Sequence, residues 1–140
     1  MKRASAAFLV LAVCLVAGCE KAPLPTYPVK GTVQFEDGTP VRNGYIETLS
    51  HEHRINARGK IEHDGSFQLT TFHEADGAVA GTHDVVVVQF LGHEMAPQID
   101  HDHGDAVATR FADYGKSGLT LEVGEQQDNR CVLVVTKARR

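Results

Sequence analysis

From Val29 onward the chain alternates apolar and polar residues in twos, and turn signals interrupt it roughly every ten positions. In 29–35, Val29, Val33 and Phe35 share one face, with Gly31 between them. Glu36-Asp37-Gly38-Thr39-Pro40 is a turn by its Asp-Gly pair. The stretch 44–49 sets Tyr45, Glu47 and Leu49 on one face and Ile46 and Thr48 on the other, and a weaker strand over 54–62 is interrupted near Arg58-Gly59. Gly65 permits a tight hairpin turn into 66–70, where Phe67 and Leu69 re-enter the core at spacing two. A loop over 72–81 leads to 83–90, whose run Val85-Val86-Val87-Val88 is apolar on both faces, as a central strand requires. After a long polar excursion over 91–110, the segments 119–123 and 130–136 close the unit, predicted as a hairpin around 124–128. No segment from residue 27 on carries a sustained helical period. About seven short strands with this punctuation predict an all-β, two-sheet sandwich.

The first residues follow a different rule. Lys2 and Arg3 precede an apolar run over 6–17 that stops at Leu15-Val16-Ala17-Gly18-Cys19, with polar Glu20 and Lys21 next. A basic start, a short apolar stretch and small residues before the cut describe an export signal; the run is short for a membrane-spanning helix. Leu15 to Cys19 resembles the bacterial lipobox, in which the cysteine is acylated and becomes the first residue of the mature chain. The division expected is therefore a lipoprotein signal peptide over 1–18, a tether over 19–28 rich in proline, and a β-sandwich domain over 29–137.

An acylated Cys19 would hold the domain on a membrane surface outside the cytoplasm, since each buried methylene contributes about 0.8 kcal/mol. The expected address is the cell membrane or the outer membrane. Of the 140 residues, 122 remain once the first 18 leave, and the net charge moves from −4 to −6 with the loss of Lys2 and Arg3. That length suits one domain with a modest core. A mildly acidic chain with no basic stripe argues against nucleic acid as a partner. Cys14 leaves with the signal and Cys19 takes the lipid, so Cys131 has no disulfide partner and reads as a buried, inert thiol.

At 29–35, at Asp37-Gly38 and at Asp64-Gly65-Ser66-Phe67-Gln68-Leu69 the chain resembles a carboxypeptidase regulatory-like domain, which implies a transthyretin-like, seven-stranded Greek-key sandwich. Asp76-Gly77-Ala78-Val79-Ala80-Gly81-Thr82-His83-Asp84-Val85 is similar to a loop-to-strand passage of small planctomycete lipoproteins. Phe111-Ala112-Asp113-Tyr114-Gly115-Lys116-Ser117-Gly118-Leu119 is similar to their entry into the penultimate strand, with Phe111 where those proteins carry tyrosine. With the lipobox, the similarity spans nearly the whole chain. It implies a fold and an address but little chemistry. The hydroxyisourate hydrolases of the transthyretin fold end in Tyr-Arg-Gly-Ser; this chain ends Thr136-Lys137-Ala138-Arg139-Arg140.

Histidine is the compositional oddity. All eight follow residue 50, and six precede a carboxylate directly. His51-Glu52-His53 and His101-Asp102-His103 are His-x-His triplets, and in an extended strand such a triplet offers two imidazoles to one ion. His101, His103 and Asp105, with His51 and His53, are the candidate ligands, and imidazole suits zinc, copper or nickel. Asp100 and Asp102 could add oxygen ligands or orient the imidazoles. Against that stand plainer readings: His63 as a turn residue, His73 and His93 as solvated loop residues, His83 as a packed imidazole. No serine among Ser50, Ser66 and Ser117 lies in a Gly-x-Ser-x-Gly elbow, and there is no glycine-rich phosphate loop.

The function expected from these features is a lipid-anchored cell-envelope structural or interaction module without catalytic activity. Its partner would be an envelope protein or a polysaccharide. The alternative is an envelope metal-binding protein using the His/Asp-rich loop 100–105.

Overall fold

The computed structural model describes residues 23–90 and 104–139, and they are mostly β. The strands are β1 (Thr26–Tyr27), β2 (Val29–Phe35), β3 (Gly44–Ser50), β4 (Asn56–Ile61), β5 (Ser66–Gln68), β6 (Ala78–Val79), β7 (Gly81–Gln89), β8 (Leu119–Val123) and β9 (Asn129–Val135). A 3-10 turn at Thr109–Ala112 and the short helix α1 (Tyr114–Ser117) precede β8. No helix among the described residues is long and apolar enough to cross a membrane.

Three sheets result. The order β4-β3-β7-β8 makes a four-stranded antiparallel sheet, β5-β2-β9 a three-stranded one, and β1-β6 a two-stranded one. Within the three-stranded sheet β2 is antiparallel to β5 and parallel to β9, with Val29 opposite Asn129 and Phe35 opposite Val135. The two larger sheets share one core. Val29, Val33, Phe35, Phe67, Leu133 and Val135 come from the three-stranded sheet, and Ile46, Ile61, Val85, Val87, Leu121 and Val123 from the other. Each such side chain contributes roughly 1.5–3 kcal/mol by leaving water. Phe111, 2% exposed, adds an aromatic from the 3-10 turn.

The period-two reading places these inward positions well. Val33 and Phe35 are buried on β2, Ile46 and Thr48 on β3, Phe67 and Leu69 around β5. The Val85–Val88 run lies in β7, which is paired on both sides, with β3 and with β8. One expectation of connectivity is corrected. Segments 119–123 and 130–136 do not form a hairpin: β8 pairs with β7, while β9 pairs with β2 in the opposite sheet. The loop between them is shaped by Asn129, whose side-chain amide donates to the carbonyls of Pro28, Gly124 and Gln126 and accepts from Gly124 N–H. That network satisfies the loop's polar groups while the chain crosses between sheets. Gly65 (φ +82°) makes the tight turn expected of it: Gly65 N–H donates to Glu62 O, Glu62 N–H to Ser66 O, and Arg58 bridges Thr70 antiparallel beyond, while β5 takes its ladder partner β2 from the other sheet.

Within the segment expected as a tether, Thr26 and Tyr27 pair with Val79 and Ala78. Gly77 makes this docking possible. Its φ is +89°, and a Cβ there would lie 1.8 Å from the Tyr27 carbonyl oxygen. Only a residue without a side chain permits that approach.

Candidate functional site

The His51-Glu52-His53 triplet begins where β3 ends, at Ser50, and it occupies a turn. His51 N–H donates to Thr82 O, His53 N–H to Ser50 Oγ, and Arg54 (φ +55°) completes the turn. The alternation that would set two imidazoles side by side therefore does not apply. His51 Nε2 lies 2.8 Å from Asp84 Oδ1, and His53 Nε2 lies 3.9 Å from Glu52. Asp105 Oδ2 is 2.7 Å from Lys137 Nζ, which also holds Asp37 at 2.7 Å and lies over the Phe35 ring. His101, His103, Asp100, Asp102 and Cys19 lie outside the described residues. Among the described residues no group of three or more His, Cys, Asp or Glu side chains is arranged to hold a metal.

His83 is fully buried in β7, opposite Ser50. Its Nε2 is 2.9 Å from Val79 O, so Nε2 carries the proton and donates; Nδ1 has no partner among the described residues. Burial pushes its pKa below the ordinary value, with the Val79 carbonyl opposing. A neutral imidazole braced against β6 results. The serines are equally engaged: Ser50 Oγ accepts from His53 N–H, Ser117 Oγ donates to Val85 O at 2.6 Å, and Ser66 Oγ donates to Asp64. Burial pushes the Cys131 thiol up to about 11, which keeps it protonated and unreactive at neutral pH.

The concave feature lies elsewhere. A groove of about 820 Å³ runs along the three-stranded sheet, lined by Lys30 and Thr32 of β2, Gln68 of β5, and Arg130 and Val132 of β9, with Arg58 and Lys60 of β4 on its flank. Lys30, Lys60, Arg58 and Arg130 outnumber the acids Glu62 and Glu74 along it, although the chain as a whole is acidic. Arg58 is paired with Glu47, Lys60 with Glu62 at 3.5 Å, and Arg130 with Asp128 at 2.9 Å. Lys30 makes no ion pair with a described residue. A smaller hollow of about 510 Å³ adjoins it, and Arg58, Lys60 and Thr70 belong to both.

At that junction Glu47 is the hub. Its carboxylate accepts from the Tyr114 hydroxyl (3.1 Å), from Asn56 Nδ2 (3.2 Å) and from the Arg58 guanidinium. Burial, then the neighbouring Glu47 charge, pushes the Tyr114 hydroxyl up to about 12, so it stays a neutral donor. Arg58 also lies over the Tyr45 ring, and Tyr45 packs against Phe90 at 5.4 Å. A carboxylate satisfied by three donors is held in one orientation. The arrangement is suited to positioning a polar surface.

Sequence reasoning missed both the groove and the Glu47 hub. Their residues occupy outward phases of strands whose neighbours are fixed only by register: Thr32 opposes Ser66 and Val132, and Glu47 opposes Arg58. The outward phase itself was readable; the pairing was not.

No protein-family model matches the chain, and no curated protein matches it. It is similar in structure to a DUF3823 family protein from Parabacteroides merdae, with a TM-score of 0.45 and 13% identity over 82% of this chain. The chain spans about half, 48%, of that protein's length. A likeness at this level assigns neither topology nor activity.

Proposed function

We propose that this chain is a lipid-anchored cell-envelope interaction module without catalytic activity, built on a transthyretin-like Greek-key sandwich and held to the membrane through Cys19. The observation that carries this reading is the groove along the three-stranded sheet, where basic side chains outnumber acidic ones, together with serine and carboxylate side chains committed to structural bonds and a Cys131 thiol kept protonated by burial. The partition into three and four strands around one core is compatible with the Greek-key assignment. An envelope polysaccharide or protein with acidic groups is the partner such a groove favours.

The test has two arms. Palmitate labelling of the full chain in a bacterial host should be lost in Cys19→Ser. Affinity capture from envelope extract by wild type should retain acidic polysaccharide or protein that Lys30→Glu with Arg130→Glu does not. Equal capture by the two removes the groove from the reading. The alternative, metal binding through 100–105, rests on the spacing of His101 and His103. Calorimetric titration with zinc, copper and nickel tests it; heat unchanged in His101→Ala with His103→Ala excludes it.

A further inference from the structure

Strand β9 borders the three-stranded sheet. Asn129 N–H donates to Pro28 O, which fixes the parity of the parallel ladder. Odd-numbered residues of β9 point N–H and C=O at β2; those of Arg130, Val132 and Val134 point away from it. No backbone hydrogen bond among the described residues reaches these three from that side. Among the described residues the border is covered further on, where Ala108 N–H donates to Thr136 O and Ala138 N–H to Ala106 O. Val132 and Val134 are 61% and 44% exposed beside this open stretch. A border strand of this length without proline or bulge is a template for pairing with another chain.

We propose that β9 pairs antiparallel with β9 of a second copy, across a two-fold axis at Val132. The register follows from which groups are open. With the axis at Val132, Val132 faces its own copy and Arg130 faces Val134 of the second copy, so only the three open residues are used. An axis one residue further along would need Thr136, whose carbonyl is already taken by Ala108. Charge selects the direction. Asp128 is already held by Arg130, and Lys137 by Asp37 and Asp105, which leaves Glu125 before the strand and Arg139 after it, neither in an ion pair with a described residue. Antiparallel pairing about Val132 sets Glu125 of each copy beside Arg139 of the other; parallel pairing would set like beside like. An isologous contact of this kind closes on itself as a dimer. It joins two three-stranded sheets into one six-stranded sheet, and the two grooves then share a border.

This inference goes beyond the groove's ligand, since pairing can fail while the groove binds, and the reverse. An edge contact of this length buries less than the roughly 1,200 Å² of a standard interface, which sets the expected dissociation constant between about 10 μM and 1 mM.

The test uses the full chain in detergent. At a hydrogen-bonded antiparallel pair the Cα atoms sit about 5.5 Å apart, within disulfide range. Mild oxidation of Val132→Cys should therefore give a covalent dimer, whereas wild type and Gln68→Cys, on the far border strand, should not. Sedimentation of wild type should show a reversible dimer, and Val132→Lys should weaken it by roughly tenfold or more through apposed charges. Because Val132 is exposed, this variant keeps the wild-type circular dichroism. A wild-type monomer at about 1 mM overturns the proposal, as does cross-linking of Gln68→Cys as fast as Val132→Cys.

Discussion

Acidification from pH 7.5 to 5.5 is expected to remove stability through His83. The ring is fully buried, with one nitrogen donating to Val79 O and the other unpartnered. Burial is the main cause of its lowered pKa; the Val79 carbonyl opposes it, the imidazoles of His51 and His53 add to it, and Glu122 opposes it. The unfolded chain binds a proton near the ordinary 6.5 that the folded chain refuses. Stability is therefore complete above that value and falls as the pH drops below it, until the folded pKa is reached. The slope cannot exceed about 1.4 kcal/mol per pH unit and develops only below the ordinary pKa, so the loss over this interval is at most roughly 1.4 kcal/mol. The assay is urea unfolding of wild type and His83→Phe at both pH values, with the slope m checked for constancy. Phenylalanine deprives the Val79 carbonyl of its donor, at about 1–3 kcal/mol, but that cost is the same at both pH values and cancels. Wild type should lose more than the variant, by up to about 1.4 kcal/mol. Equal losses in the two proteins would refute the buried, neutral His83.

Three further outcomes are expected. Gly77→Ala drives a Cβ into the Tyr27 carbonyl at a positive φ, and should cost at least about 3 kcal/mol in chemical denaturation; a loss under about 1 kcal/mol would show that β1 is free to move away. Asn129→Ala takes the side-chain donor from Gln126 O and the acceptor from Gly124 N–H, while Pro28 O and Gly124 O keep the backbone donors Asn129 N–H and Gln126 N–H; it should cost about 2–3 kcal/mol, with faster amide exchange at Gly124 as the local readout. Lys137→Ala should raise the Asp37 carboxyl towards its ordinary value, because the Lys137 hydrogen bond is the largest cause of its lowered pKa; carbon-detected NMR titration showing no rise would contradict the pairing.

Side-chain alternation proved a faithful guide to faces and a poor one to partners. Phe67, Leu69, Val85 and Val87 are inward because period two can be read from one strand alone. Whether β9 returns beside β8 or crosses to β2 depends on pairing energies between segments far apart in sequence, and 119–136 looks the same either way. Asn129 carried the decisive information, but an asparagine in a turn has several uses. The histidines show the same limit. The His-x-His spacing suggested two imidazoles on one face of a strand, whereas 51–53 form a turn and His51 takes Asp84 from another strand. His83 alone is buried among the described histidines, consistent with its reading as a packed imidazole. The groove was illegible because Lys30, Gln68 and Arg130 become neighbours only through the register of β2 with both its partners.

The parallel pairing of β2 with β9 has a consequence for how the chain can be made. Val29 waits for Asn129, one hundred positions later, before its sheet is complete. A protein emerging from its N-terminus, whether from a ribosome or through an export pore, exposes one flank of β2 until the end of the chain has followed. Such distant closure slows folding and lengthens exposure to aggregation and proteases. Loss of even the final dozen residues would leave β2 bordered by β5 alone, so a truncated chain should be cleared rather than tolerated.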